Sequence, residues 1–399
     1  MAEGRGELPG ARDQAAPTRP VLPDFADRCL TRVVPALVAH AFGDRSYEQP
    51  SWMPAPVLDA RQVVLLVLDG LGAEQLALRR ACAPVLASGE GTAITSVAPS
   101  TTATALTTLT TGLAPAVHGT VGYRVAIEGS ILNLLSWRLG DRDARRLLPP
   151  RVFQPFPSFP GAGGSVPVVS RNEYATTGFT ASHLGDASLH GWHTPSGLVV
   201  EVCRLVQAGA PFVYAYYDGV DRAAHAQGLG EHYEAELRTV DRLVGDLIDA
   251  LPSHAALVVT ADHGQVEVGS SVQLLGSDIM GGVTLLSGEG RFRWLHARAG
   301  AAKDVADAAA ESFGAVAWVY TRDEILGQGW LGGEPSPDVG SRLGDVALVP
   351  FSATAFLDPA DTGEQRLVSR HGSLTPDEMW VPFVAWHGAR GTGRARGAV

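Results

Sequence analysis

Three unbroken apolar runs, each ending in acidic residues, constrain this chain more than any other feature. RQVVLLVLDG closes on Asp69 and Gly70, PFVYAYYDG on Asp218, and AALVVTADHG on Asp262 and His263. A strand with one wet face alternates apolar and polar residues. An unbroken run needs cover on both faces, which is what a parallel sheet between helical layers provides. Helix-like stretches lie between the runs, among them EHYEAELRTVDRLVGDLIDAL with apolar residues at helical spacing. The repeated strand-then-helix order predicts an α/β fold, a mostly parallel sheet sandwiched by helices, with irregular cap insertions. In open parallel sheets ligands gather at the carboxyl ends of the strands. The residues closing the runs, with the PST segment after TAITSVAP, are therefore expected to share one edge.

The 399 residues suffice for one large domain with a sizeable core. Residues 1–22, rich in Gly, Pro and Ala, read as a disordered tail, and 23–399 as the folded domain. PDFADRCLTRVVPALVAHAFG, EQLALRRACAPVLAS and TTATALTTLTTG each read as a helix. An irregular segment around 123–205, with PPRVFQPFPSFPGAGG in its middle and a strand at VPVVS, reads as a cap near the mouth of the site.

Composition excludes several classes. With 42 acidic and 31 basic residues the chain carries −11, a poor match for a nucleic-acid backbone. Three scattered cysteines, Cys29, Cys82 and Cys203, argue against a disulfide framework. No apolar run approaches membrane-spanning length, and the first twenty residues lack the apolar core of a secretory signal. A cytoplasmic protein with no membrane partner is expected.

The chemistry-bearing residues form a set. Asp69 alone could cap a helix, and DGLG lacks the third glycine of a dinucleotide fingerprint. The threonine-rich run from Thr101 to Thr111 could simply cap and pack a helix. One hydroxyl at that helix start would nevertheless meet N–H groups and a dipole that favour a phosphoryl group. Asp221 and His225, at i and i+4, face the same way on a helical turn. Asp262 and His263 are adjacent at a strand end, and His371 sits in RHGSLT. Three carboxylates and three imidazoles match the donors that two borderline divalent cations require, and a nearby hydroxyl would be a metal-activated nucleophile. His118, His193 and His296 read as structural or surface residues. Cys82 lacks the CxPxR frame of a sulfatase, because Leu86 stands where the arginine would be.

The ordered motifs VLDG, APSTTATALTTLTTGLAPAVHG, DGVDRAAHAQG, TADHG and RHGS resemble the alkaline phosphatase superfamily, most closely its type I phosphodiesterase/nucleotide pyrophosphatase branch. The resemblance spans about Val63 to Ser373. It implies two divalent ions, zinc or manganese, with a small-molecule phosphate ester as substrate. It implies Asp221, His225 and His371 around one ion, and Asp69, Asp262, His263 and the Thr102 hydroxyl around the other. Thr102 is the implied nucleophile. The chain departs from nucleotide-cleaving members at Ala103 and Ala105, where an aromatic residue and an Asn are usual. Arg124 and Arg138 are candidates for the missing phosphate contacts, and Tyr123, Trp137, Phe153 and Phe156 for the missing stack. A phosphomonoesterase or phosphonate hydrolase on the same scaffold, and a catalytically inactive binding protein, are the competing readings.

Overall fold

The computed structural model describes residues 19–390. Residues 1–18 of the expected tail lie outside the described residues. From Val21 the chain is fastened, its N–H donating to the Leu374 carbonyl at 2.8 Å.

In chain order the main strands are β1 (Gln62–Leu68), β2 (Glu90–Thr95), β3 (Arg124–Ile127), β4 (Ser130–Asn133), β5 (Pro167–Arg171), β6 (Ser188–Trp192), β7 (Phe212–Tyr217), β8 (Ala255–Thr260), β9 (Val283–Glu289), β10 (Phe292–Ala297), β11 (Ala317–Thr321), β12 (Val346–Pro350) and β13 (Trp380–His387). The longer helices are α1 (Leu30–Phe42), α2 (Thr102–Thr111), α3 (Pro195–Gln207), α4 (Gly219–Gln227), α5 (Glu231–Ala250) and α6 (Ala302–Phe313).

The central sheet has the order β2-β13-β8-β1-β7-β5-β6. The three apolar runs are its middle, β8-β1-β7, paired in parallel with Leu65 opposite both Val258 and Tyr214. From Val63 to Leu68 β1 is buried without interruption, because helices cover both faces. On α5 the buried residues Tyr233, Leu237, Val240, Val244 and Leu247 recur at helical spacing and turn one stripe to the core.

The α/β architecture agrees with the sequence reading, and the details depart from it in three places. β5 and β6 belong to the central sheet, extending it past β7 in parallel. The later part of the 123–205 segment is therefore sheet, and only its earlier part, with the β3-β4 hairpin, stands apart. β13 is antiparallel and inserts between β8 and β2. Its amino end lies at the edge where the parallel strands finish, bringing the His371 loop to the same place. EQLALRRACAPVLAS breaks into Ala73–Leu78 and Pro84–Ala87. Pro84 disfavours helical geometry at the residue before it and opens the second helix at its first turn.

β9, β10, β12 and β11 form a second, antiparallel sheet with its own small core under α6. It is tied to the first by a fully buried ion pair. Arg291, in the β9-β10 turn, donates to Glu378 from Nε at 2.9 Å and from Nη2 at 2.6 Å. Glu378 also accepts from the Ser373 N–H at 3.0 Å and the Thr375 hydroxyl at 2.6 Å, which fixes the loop after His371. Among the described residues no helix is long and apolar enough to cross a membrane.

Glu378→Ala should destabilise the protein by about 3–5 kcal/mol, since it leaves the Arg291 charge buried and unpaired. Denaturant melts of Glu378→Ala against wild type read this directly. A loss below about 1 kcal/mol would mean that the pair is not a tie between the two sheets.

Candidate active site

The sheet topology brings together all seven residues singled out in the sequence. Asp69 follows β1 and Asp262 and His263 follow β8. Asp221 and His225 project from α4 just after β7. Thr102 is the first residue of α2, whose N-cap is Thr101. Gly70 lets these segments close up. Its φ is +73°, and a Cβ there would lie 2.9 Å from Gln265 Nε2 and 3.0 Å from the Asp221 backbone. Its N–H donates to Asp262 Oδ1 at 3.1 Å.

The three histidines share one arrangement. Nδ1 of His225 faces the Ser369 carbonyl at 2.7 Å, Nδ1 of His371 the Ser100 carbonyl at 3.1 Å, and Nδ1 of His263 the Gly264 carbonyl at 3.0 Å. A carbonyl only accepts, so each Nδ1 carries the proton and each Nε2 presents a lone pair. Those lone pairs point at carboxylates. His225 Nε2 lies 3.2 Å from Asp221 Oδ1, and His371 Nε2 3.9 Å from the same oxygen. His263 Nε2 lies 3.4 Å from Asp262 Oδ2, 3.5 Å from Asp69 Oδ1 and 3.1 Å from the Thr102 hydroxyl. The His263 and His371 rings stack with centroids 3.6 Å apart.

Lone pairs facing carboxylate oxygens repel unless something positive lies between them. Asp69 Oδ1 and Asp262 Oδ2 are buried with no hydrogen-bond partner among the described residues. Burial, then the charges of Asp262 and Asp221, hold the Asp69 carboxyl well above its usual range, and burial also raises Asp262. Burial, with His263 and His225 adding to it, pushes His371 far below the usual imidazole value. Both trends describe groups whose charge lacks compensation from the protein alone. Ligand atoms of Asp69, Asp262 and His263 lie within 4.8 Å of one another, as do those of Asp221, His263 and His371. The donor set therefore fits divalent cations, with imidazoles oriented from behind as metal-binding histidines usually are. His263 belongs to both groups, so the site is one contiguous cluster.

Two residues that the sequence did not point to orient the carboxylates. The Tyr216 hydroxyl donates to Asp69 Oδ2, and Gln265 Nε2 donates to Asp221 Oδ1 at 2.5 Å. Gln265 directly follows TADHG, a proximity that could have flagged it. Tyr216 is one of three tyrosines in a buried strand, and only the register, Tyr216 opposite Val67, singles it out. Asp218 is taken up by Arg171, whose Nη2 lies 2.8 Å away, and by the Tyr174 hydroxyl at 2.5 Å. His118 is structural, held between the Thr108 hydroxyl and the Thr120 N–H.

Neither candidate phosphate arginine, and none of the candidate aromatics Tyr123, Trp137, Phe153 and Phe156, lines the space beside Thr102. Arg124 is buried against Asp358 at 2.6 Å, and exposed Arg138 donates to the Asp141 carbonyl. Tyr123 donates to Asp361, and Trp137 packs edge-on against Phe153 in the core. The space beside Thr102 is instead a cavity of about 250 Å³ bordered by Leu106, Tyr174, Phe179, His183, Leu184 and Tyr214. Behind the site, Glu289 packs against Gly372, with no partner for Oε1 among the described residues, and burial pushes its carboxyl up to about 8.

A family model for type I phosphodiesterase / nucleotide pyrophosphatase matches residues 63–374. The chain belongs to that family, which lies in the alkaline phosphatase superfamily. Among solved structures it resembles murine ectonucleotide pyrophosphatase / phosphodiesterase 5, with a TM-score of 0.61 and 17% identity over 81% of this chain and 87% of that one. It likewise resembles the human protein of that name, at 0.62 and 16% over 83% and 88%. An inactive threonine-to-alanine variant of the murine protein in complex with AMP matches at 0.60 and 17%, over 81% and 87%. No curated protein sequence matches the chain.

Chelation should lower Tm, and zinc should restore it. A ligand at 100 times its Kd adds about 2.7 kcal/mol to the native state. Thermal melts with and without added zinc check this, and an unchanged Tm would speak against a cation between the carboxylates.

Glu289 gives a pH signature. Its folded pKa is raised, so the native state keeps a proton that the unfolded chain releases above about 4.3. Its contribution is whole below that value and lost as pH rises through about 8. Glu289→Gln should therefore gain Tm relative to wild type between pH 5 and pH 9. A difference independent of pH would contradict the buried, protonated carboxyl.

Proposed function

We propose that the protein is a metal-dependent phosphodiesterase that transfers the phosphoryl group to Thr102 and then to water. The observation that carries this reading is the Thr102 hydroxyl at the amino end of α2, 3.1 Å from His263 Nε2 and beside the unpartnered oxygens of Asp69 and Asp262. Asp69, Asp262, His263 and Thr102 would hold one divalent cation, zinc or manganese, and Asp221, His225 and His371 the other. Bound there, the cations would favour the ionised hydroxyl and neutralise phosphate oxygens.

Thr102 Oγ gives up its proton and forms the new bond to phosphorus as the bond to one ester oxygen breaks, and that oxygen leaves with a proton as the alcohol. The threonine then carries the phosphate with its second ester, and water cleaves the threonine–phosphate linkage, its oxygen going to phosphorus and a proton restoring the Thr102 hydroxyl. The free N–H groups at the start of α2 face the phosphoryl oxygens and favour their negative charge. Tyr216 and Gln265 keep Asp69 and Asp221 from rotating. A diester suits the cavity better than a monoester does. Leucines and aromatic rings in its wall can cover a second substituent, which a monoester lacks.

The murine relative solved with AMP makes a nucleoside monophosphate one candidate product. Ala103 is fully buried and offers no ring for stacking, which argues for weak discrimination among bases. Residues 23–399 are read as one hydrolase domain. The free cysteines Cys29, Cys82 and Cys203 support a reducing, cytoplasmic setting.

Thr102→Ala should reduce kcat on bis(4-nitrophenyl) phosphate by roughly a thousandfold or more while leaving the zinc-dependent Tm shift in place. Near-full activity in Thr102→Ala, with the loss appearing in Thr101→Ala, would move the nucleophile by one residue. Turnover of 4-nitrophenyl phosphate well above the diester would replace the diester reading with a monoesterase.

A further inference from the structure

The cavity beside Thr102 carries polar atoms that the proposed chemistry does not use. His183, at the end of the short helix Gly178–His183, is 4% exposed, and its ring stacks on Phe179 with centroids 4.1 Å apart. Both rings border the cavity. His183 Nδ1 lies 2.7 Å from the Phe179 carbonyl, which can only accept, so the proton sits on Nδ1. Burial pushes the imidazole down to about 4, and it is neutral in any ordinary assay. Nε2 is then a pure acceptor, and among the described residues no hydrogen bond reaches it.

The neighbouring polar groups are mostly engaged. The Tyr174 hydroxyl donates to Asp218, the Tyr216 hydroxyl to Asp69, and the Thr177 hydroxyl to that of Thr180. The Tyr214 hydroxyl, buried in the same wall, has no partner among the described residues. Once a ligand fills the cavity and excludes water, a ring-nitrogen acceptor among aromatic and aliphatic side chains is costly to leave unpaired, and it discriminates between otherwise similar ligands. At about 250 Å³, including the part bordered by Asp69, Thr102 and Asp221, the cavity lies below the roughly 300–1,000 Å³ of pockets for drug-sized ligands, and so suits no more than a single ring beside the phosphate.

Resting on the diesterase reading, we propose that this cavity holds a single-ring ester substituent bearing an N–H or O–H donor, and that His183 Nε2 accepts from it. Leu106 and Leu184 cover the ring's apolar edges, and the Tyr214 hydroxyl remains free to donate to an acceptor on the same ring. His183 is in this account a specificity-determining residue. It takes no part in bond making at phosphorus.

The test uses the full-length, zinc-loaded protein and two 4-nitrophenyl phosphodiesters. One carries 3-aminobenzyl as its second ester and the other 3-methylbenzyl, nearly equal in shape but with and without a donor. Wild type should favour the amino compound by about tenfold or more in kcat/KM, the usual penalty for an unmet buried acceptor. In His183→Phe that ratio should fall to about one, while thermal melts of the zinc-loaded variant show that it still folds, as the ring packing is kept. His183→Gln, which keeps an acceptor, should retain part of the preference.

Calorimetric binding of 3-aminobenzyl and 3-methylbenzyl phosphate to the same variants should show the same order. An equal ratio in wild type and His183→Phe, in both rates and binding, overturns the proposal. Diester hydrolysis without donor preference overturns it and leaves the reaction standing. Donor-selective binding without any diester turnover supports the pocket assignment and removes the diesterase reading.

Discussion

The arrangement at the strand ends depends on one electrostatic problem. Asp69 and Asp262 are buried beside each other, with Asp221 close by, and each has an oxygen or a neighbouring lone pair that the protein does not satisfy. Isolated buried carboxylates cost several kcal/mol each, so a fold that retains them requires a counter-charge. Tyr216, Gln265 and the Gly70 N–H meet part of that need and leave the inward-facing oxygens open. A fold built only for stability would have filled this space with apolar side chains.

The same requirement explains how the loops are held. Each histidine is anchored from behind by a backbone carbonyl in a different segment, at Ser100, Gly264 and Ser369. The tautomers are thereby set by main chain, and small shifts in those loops would turn the lone pairs away. The Arg291–Glu378 pair extends the constraint outward. It joins the second sheet to the His371 loop through Ser373 and Thr375. The antiparallel insertion of β13 completes the geometry by starting that strand at the edge where the parallel strands end.

What could be read from the sequence follows from how local each signal is. The β1, β7 and β8 runs carry their own burial, and the Asp and His residues closing them needed only the general rule of parallel sheets to be placed together. That these seven residues gather at one place was legible because each motif combines a strand end with residue types that packing alone seldom selects. Neither the membership of β5 and β6 in the central sheet nor the position of β13 has a local signature, because strand order is decided by which edges remain unpaired. Tyr216 and His183 were hidden for a similar reason. One is an ordinary tyrosine until the register aims it at Asp69. The other looks like a surface histidine until the Phe179 stack buries it. Arg124 and Trp137 looked available in the sequence and are consumed by Asp358 and Phe153.

The central claim, that divalent cations compensate this buried carboxylate cluster, is tested most directly by anomalous diffraction at the zinc edge on crystals of the zinc-loaded protein. Two peaks are expected, one against Asp69, Asp262 and His263 and the other against Asp221, His225 and His371. A cluster with no anomalous peak, its carboxylates bridged by water or by protons shared between them, would contradict it.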